Sequence, residues 1–292
     1  MAHKNKINRQ KRIAPYLFLL PNLSIFIVFI VAPALYGVYY SFTDYDGLNK
    51  AKFIGLENYI EIFGDMKFWL IFKQTGIYAA IVVPGIFLFA LGVALLLIQK
   101  IKFKPVFRAA IYWPTMISFV VVGVTWKWIF GDSFGVLNYL IELMGREGIP
   151  WLTDPFFARM TVVIATLWCR VGFYMVIFMA GLQNIPLQYY EAARIDGATK
   201  VLAFRYITLP LLKPTSVMVI MLCIIDSFKA YPLIVSLTGG GPGKTTTYLV
   251  QYIYRYGFEK SKLGYASAMS VLLFAVIAII TAIQFRSKKE DM

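Results

Sequence analysis

The chain has 292 residues, of which 59% are hydrophobic and 15% charged, and its mean hydropathy is +0.67. That places it outside the range of soluble globular domains. A net charge of +14 would suit a nucleic-acid binder, but the cations cluster beside long apolar runs, which argues against nucleic acid and for a membrane.

A bilayer core of about 30 Å takes roughly 20 helical residues. Six runs meet that length: residues 15–36, 71–98, 107–130, 157–182, 211–234 and 264–285. They are continuously apolar instead of alternating, which excludes a closed β-barrel. The expected fold is therefore all-α, a polytopic membrane protein with six transmembrane helices.

Residues 1–14 read as a basic tail carrying His3, the only histidine, with Lys4, Lys6, Arg9, Lys11 and Arg12. The run from Pro15 exceeds the 7–15 apolar residues of a cleaved signal and reads as an uncleaved first helix. The polar excursion 37–70 holds turn chemistry at Asp44-Tyr45-Asp46-Gly47. Its Phe53–Tyr59 run and its Phe68-Trp69 pair are expected at a membrane interface. A second cation group, Lys100, Lys102, Lys104 and Arg108, precedes or opens the third run. Segment 131–156, broken by Gly131, Gly135, Gly145, Gly148 and Pro150, has no pattern for a separate domain.

The polar segment 184–210 reads as two short helices and a turn. Asn184 is the expected N-cap of the first, with Pro186 in its first turn. Glu191 falls near the positive end of that helix. Gly197 supplies a left-handed C-cap, and Thr199 caps a second helix bearing Val201, Phe204 and Thr208 before Leu209-Pro210 turns the chain into the membrane. Arg194, Lys200, Arg205 and Lys213 accompany it, and Arg286, Lys288 and Lys289 open the tail 286–292. With six spans, these cation groups share one side, and the positive-inside rule puts both termini in the cytoplasm. The opposite loops carry fewer cations over greater length.

Gly239-Gly240-Gly241-Pro242-Gly243-Lys244-Thr245 invites a phosphate-loop reading. The first glycine of that pattern would fall at Thr238, no strand precedes it, and Pro242 interrupts it, so a glycine-rich turn is the better reading. With one histidine there is no Ser-His-Asp, Cys-His or histidine metal system, and Cys169 and Cys223 lie inside apolar runs. Glu191 and Asp196 lie on an open loop, a poor setting for paired-carboxylate catalysis. The chain is read as a non-enzyme, with no cofactor and no metal of its own.

Charges inside the spans must face the bundle, a partner or water. Lys73 and Arg159 lie at span ends, and Lys127 can snorkel. Asp226 and Lys229, at i and i+3, are expected either to pair with each other or to line a path. A sugar site needs hydrogen-bonding groups beside aromatic faces. Arg170, Tyr174, Asp226, Lys229 and Tyr231 are the candidates for it. Gly264, Ala266, Ser267, Ala268 and Ser270 are read as close helix packing.

The pattern E-A-A-x-x-D-G-A at Glu191 to Ala198, then F-x-x-I-x-L-P at Phe204 to Pro210, resembles the "EAA" loop of permease subunits of binding-protein-dependent ABC importers. Leu237 to Pro242, Tyr252-Ile253-Tyr254, Phe258 and Gly264 to Ala268 resemble the carbohydrate-uptake branch, in particular its MalF-like permeases. Phe53 to Tyr59 fits it too. The resemblance implies a cytoplasmic-membrane permease that moves a carbohydrate, an oligosaccharide by preference, by alternating access. It implies a second homologous permease, two copies of a cytoplasmic ATPase holding ATP and Mg, and an extracytoplasmic sugar-binding protein. It also implies that 184–210 docks on the ATPase. Glu191 would pair with a basic residue there and Gly197 would make the turn, while Ala192, Ala193 and Ile195 fill a groove beside Asp196. Two alternatives stand beside this: an importer of glycerol phosphate or an acidic saccharide, and a stand-alone ion-coupled secondary transporter, for which broken helices or inverted repeats would be the mark. Neither mark is legible in the sequence, with Pro84 and Pro232 the candidates for a kink in their spans.

Overall fold

The computed structural model describes residues 15–99 and 101–289. The tail 1–14 with its five cations, Lys100 and residues 290–292 lie outside the described residues. Apart from one β-bridge between Thr43 and Phe53, regular structure among the described residues is helical. Among the described residues five helices are long and apolar enough to cross a membrane, and a sharply bent pair supplies the sixth apolar run. The chain divides into two units, residues up to Gly64 with Ile253–Phe274, and Asp65–Tyr252 with the residues from Ala275 onward.

The first unit starts with α1 (Pro15–Tyr40), whose most apolar stretch has no buried residue. Proline lacks an N–H, and its ring collides with the carbonyl four residues back. In α1 a π-turn at Ile27–Val31 widens the helix just ahead of Pro33, with Ala32 N–H donating to Ile27 O, so the helix continues. After α1, the loop closes over Asn58 on α2 (Glu57–Gly64). The buried Asn58 amide donates to the carbonyls of Ser41 at 2.9 Å and Thr43 at 2.8 Å, and the Tyr59 hydroxyl donates to Ser41 Oγ at 2.7 Å. The Phe53–Tyr59 run is thus a loop clamp as well as an exposed apolar surface. Gly264, near the start of α12 (Leu263–Lys289), donates its N–H to Tyr45 O at 2.7 Å, and a Cβ there would strike Thr43 O. The close approach expected between helices is here an approach of Gly264 to the loop backbone after α1. α12 also runs four residues, 286–289, into the span expected to be a tail.

The second unit holds α3 (Met66–Ile98), α4 (Lys104–Met116), α5 (Phe119–Ile129), α6 (Val136–Leu143), α7 (Pro155–Gln183), α8 (Leu187–Ile195), α9 (Lys200–Phe228) and α10 (Pro232–Thr238). α11 (Leu249–Tyr254) then leads back along the chain to the first unit. Its core lies among α3, α7 and α9, where Val82, Ile86, Val162, Phe178, Leu212 and Val219 are buried. Cys169 and Cys223 are buried and unbridged, as their place in apolar runs suggests. In the 131–156 segment the buried Asn138 is the organiser. Its amide nitrogen donates to Asp132 O and Ile149 O, and its oxygen accepts from Ile149 N and Trp151 Nε1.

Two expected spans are broken. The run 107–130 is not one helix, because α4 and α5 meet at 99°. Pro114 lies in a tight 3₁₀ turn, Trp113–Met116, after which Ile117 and Ser118 are extended. The run 211–234 starts earlier, at Lys200, and ends at Phe228. Pro232 pushes the preceding Tyr231 out of the helical region, to φ −148°, and starts α10 afresh. Broken helices are therefore present, contrary to the sequence reading. The halves fit together at glycines. A Cβ on Gly123 of α5 would meet Leu233 O and Ser236 Cβ of α10, and one on Gly172 of α7 would strike Ile111 O of α4.

Gly172→Val should therefore force α4 off α7 and cost about 1–3 kcal/mol by overpacking. Gly92→Ala, whose Cβ would meet nothing within 4 Å, should be neutral or slightly stabilising. Thermal unfolding of the detergent-purified variants checks both.

Candidate functional site: a cavity at the helix breaks and an exposed loop

Both breaks open onto one cavity of about 150 Å³. Phe119 starts the second half of one broken run; Lys229, Ala230, Tyr231 and Pro232 span the break in the other; Tyr78, Thr166, Arg170, Asp226 and Ser227 complete the polar lining. Four of the five sequence candidates meet here. Arg170 Nη2 lies 3.0 Å from Asp226 Oδ2, and the guanidinium also sits over the Phe119 ring, 4.7 Å from its centroid. The fifth, Tyr174, does not line the cavity. It is wholly buried behind Asp226 and donates its hydroxyl to Asp226 Oδ2 at 2.7 Å.

The expected Asp226–Lys229 pair is not formed. The helix ends between the two, with Lys229 as its C-cap, and Asp226 turns across the unit to Arg170. Lys229 is exposed at the cavity. The network neutralises Arg170 inside the protein, where a single charge would be costly. Tyr78, Thr166 and Phe119 were not singled out from sequence. The hydroxyls of Tyr78 and Thr166, at 3.0 Å, form a polar pair inside apolar helices, and only their polarity in such runs marks them. Tyr78 also stacks on Tyr248 at 4.5 Å between centroids.

The second feature is the loop after α7. Asn184 does not cap α8; it is the C-cap of α7, and Pro186, without an N–H of its own to satisfy, stands at the N-cap of α8 with ψ 132°. Glu191 therefore lies in the second turn of α8, clear of the positive end. The C-cap is as expected. Gly197 has φ +75°, Gly197 N–H donates to Arg194 O and Ala198 N–H to Ala193 O, the Schellman pattern. Thr199 Oγ1 accepts from Leu202 N–H at 3.4 Å. The chain does not turn at Leu209-Pro210. A π-turn at Phe204–Thr208 absorbs Pro210 as its counterpart does Pro33, and α9 continues unbroken to Phe228. Tyr190 and Thr208 hydroxyls, 2.9 Å apart, fasten α8 to α9. Glu191, Ala192, Asp196 and Gly197 are exposed, with Ala193 half-buried, and Ile195 is 87% exposed. Among the described residues Glu191 and Asp196 make no ion pair.

The glycine-rich stretch after α10 is a turn. Gly239, Gly240 and Gly243 have positive φ, and Thr246 Oγ1 donates to Gly241 O while Gln251 Nε2 donates to Gly239 O. It follows a helix and lacks the strand that a phosphate loop requires.

The cavity predicts a double-mutant result. Asp226→Asn leaves Arg170 without its ion-pair partner and Arg170→Met does the same to Asp226, so the double variant should be less destabilised than the sum of the two single variants. The coupling expected is about 0.5–3 kcal/mol, read from thermal unfolding in detergent.

Comparison with known proteins follows the same lines. Residues 86–288 match the family described as binding-protein-dependent transport system inner membrane component. The trehalose/maltose transport system permease protein MalF of Thermococcus litoralis is 32% identical over 272 residues, 93% of this chain and 92% of its own. The sulfoquinovosyl glycerol transport system permease protein SmoG of Agrobacterium fabrum is 36% identical over 264 residues, 90% of this chain and 85% of its own. In fold, the chain superposes with TM-score 0.86, at 23% identity and over 99% of both chains, on a chain of a bacterial ABC transporter involved in the import of the acidic polysaccharide alginate. These relatives are transport components and not enzymes. The broken membrane helices, the cavity between them and the EAA-type loop are thus those of a permease subunit, and the chain belongs to the inner-membrane components of binding-protein-dependent ABC importers.

Proposed function

We propose that this permease imports a carbohydrate, an oligosaccharide by preference, across the cytoplasmic membrane by alternating access. It pairs with a second, homologous permease. Two copies of a cytoplasmic ATPase hold ATP and Mg and supply the energy, and an extracytoplasmic sugar-binding protein delivers the cargo. Both termini lie in the cytoplasm, α4 and α5 counting as one crossing, in accord with the positive-inside rule. The chain itself holds no cofactor.

The observation that carries this reading is the loop. α8, its Schellman turn and the first turns of α9 are rigidly capped, yet present Glu191 without an ion-pair partner among the described residues and Ile195 almost bare. A rigid polar helix with exposed apolar residues suits a groove on a partner protein. Glu191 pairs with a basic residue of the ATPase, Ala192, Ala193 and Ile195 enter the groove, and Asp196 with Gly197 shapes the turn. At the other end of α9, Arg170, Asp226, Lys229 and Tyr231 offer hydrogen bonds and an aromatic ring to a sugar. Tyr174 holds Asp226 from behind.

A second reading rests on Lys229. Arg170 is already neutralised by Asp226, which leaves Lys229 as the net charge on the cavity. Glycerol phosphate or a uronate-bearing saccharide would complement it, and the relatives include permeases of a sulfoquinovosyl glycerol and an sn-glycerol-3-phosphate transport system. The stand-alone secondary transporter has the broken helices in its favour, and it requires ion-driven uptake by the purified chain alone.

Two measurements separate these. Pull-down of the tagged chain from mild detergent should recover a second permease and an ATPase, with the ATPase lost on Glu191→Lys; recovery of an active chain alone would overturn the importer assembly. Uptake of neutral sugars should survive Lys229→Gln, whereas a cargo bearing a carboxylate or phosphate should lose about tenfold or more in transport affinity.

A further inference from the structure

We propose that the groove between α4 and α7 binds an anionic phospholipid, its phosphate held by Lys104 and Arg108. Lys104 and Arg108 lie at i and i+4 on α4, with Tyr112 one turn further, so one face of the helix presents a cation pair followed by a ring. These three residues, with Pro105, Ala109 and Val176 of α7, line a groove of about 530 Å³. α4 and α7 approach backbone to backbone at Gly172 and Ile111, and the groove lies mainly on the Lys104 side of that contact.

Its chemistry is one-sided. No carboxylate lines it, and among the described residues Arg108 makes no ion pair. Lys104 Nζ gives one long bond of 3.5 Å to Ile98 O, which leaves two of its three donors for a ligand. Lys102 stands exposed beside it. The other wall is apolar, as an acyl chain descending past Ala109, Tyr112 and Val176 requires.

A second observation puts the start of this helix at the bilayer surface. On the faces of α4 turned from the groove, and in the residue before it, Phe103, Val106 and Phe107 are 75%, 63% and 51% exposed. Bare aromatic and aliphatic residues in the same turn as basic ones mark a helix end at the headgroup level. Basic pockets between membrane helices take anionic headgroups there, each nearby Lys or Arg adding to the attraction. A zwitterionic headgroup brings its own cation and is disfavoured. A soluble anion would satisfy the cations but leave the apolar wall wet. The site is separate from the cavity at the helix breaks, with which it shares no residue.

The test uses the transporter purified with its partner subunits and exchanged into detergent with added dioleoylphosphatidylglycerol, dioleoylphosphatidylcholine or inorganic phosphate, with bound species counted by native mass spectrometry. The wild type should retain phosphatidylglycerol in preference to phosphatidylcholine, and K104Q/R108Q should weaken that retention by about tenfold or more while still assembling. K127Q removes a cation from a different helix end and should change nothing. If K104Q/R108Q fails to assemble, the charge-conserving K104R/R108K takes its place and should keep the lipid. Equal retention of the two lipids, unchanged retention in K104Q/R108Q, or phosphate binding as well as the diacyl lipid would overturn the proposal. So would a photo-crosslinker at position 108 that captures a second permease subunit instead of lipid.

Discussion

Inside a bilayer every backbone N–H and C=O must find a partner within the protein, so a helix can be interrupted only where other protein covers the gap or where the gap faces a water-filled cavity. This chain interrupts two helices, at Ile117–Ser118 and at Lys229–Tyr231. It brings both gaps to the same place. α5 and α10, the short second halves, lie against each other at Gly123, and the ion pair of Arg170 with Asp226 spans the space beside the gaps. Phe119 sits under the guanidinium and Tyr174 behind the carboxylate. The charges and the breaks belong to one arrangement, since each would be costly in lipid without the other nearby.

That arrangement is connected to the exposed loop by a single rod. α9 runs from Lys200, beside the Schellman turn, to Phe228, two residues beyond Asp226. At 1.5 Å per residue this is roughly 40 Å. Tyr190 to Thr208 fastens α8 to the start of the rod, and the Asp226 network fastens its other end. In the proposed mechanism a push on α8 reaches the cavity as a displacement of α9. The π-turn at Phe204–Thr208 matters for the same reason, because it lets α9 pass Pro210 without a break that would absorb the motion.

The apolar runs were legible because hydropathy sums over some twenty residues and tolerates local irregularity. The breaks were not, since hydropathy does not see the backbone. Prolines alone do not reveal them: Pro33, Pro84, Pro210 and Pro214 lie in helices that continue, whereas Pro114 and Pro232 accompany breaks. Local punctuation was readable where the cap is made by neighbours, as at Gly197 and Thr199. It misled at Asn184, where a polar residue three positions before the new helix closes the old one instead. The Arg170–Asp226 pair joins residues far apart in the chain, and the nearer Lys229 looked the better partner because the end of the helix between them could not be seen. Gly123 and Gly172 carry no mark that separates them from Gly92, which touches nothing.

The account stands on the cavity at the helix breaks being the place through which cargo passes. Its most direct measurement is the reaction of a cysteine at position 231, in a chain whose native Cys169 and Cys223 are buried, with a membrane-impermeant thiol reagent applied to one side at a time. The account predicts that in the assembled transporter this cysteine is labelled from one side at rest and from the opposite side when the ATPases are trapped with nucleotide. Labelling that keeps the same sidedness in both states, or protection in both while transport proceeds, would contradict it.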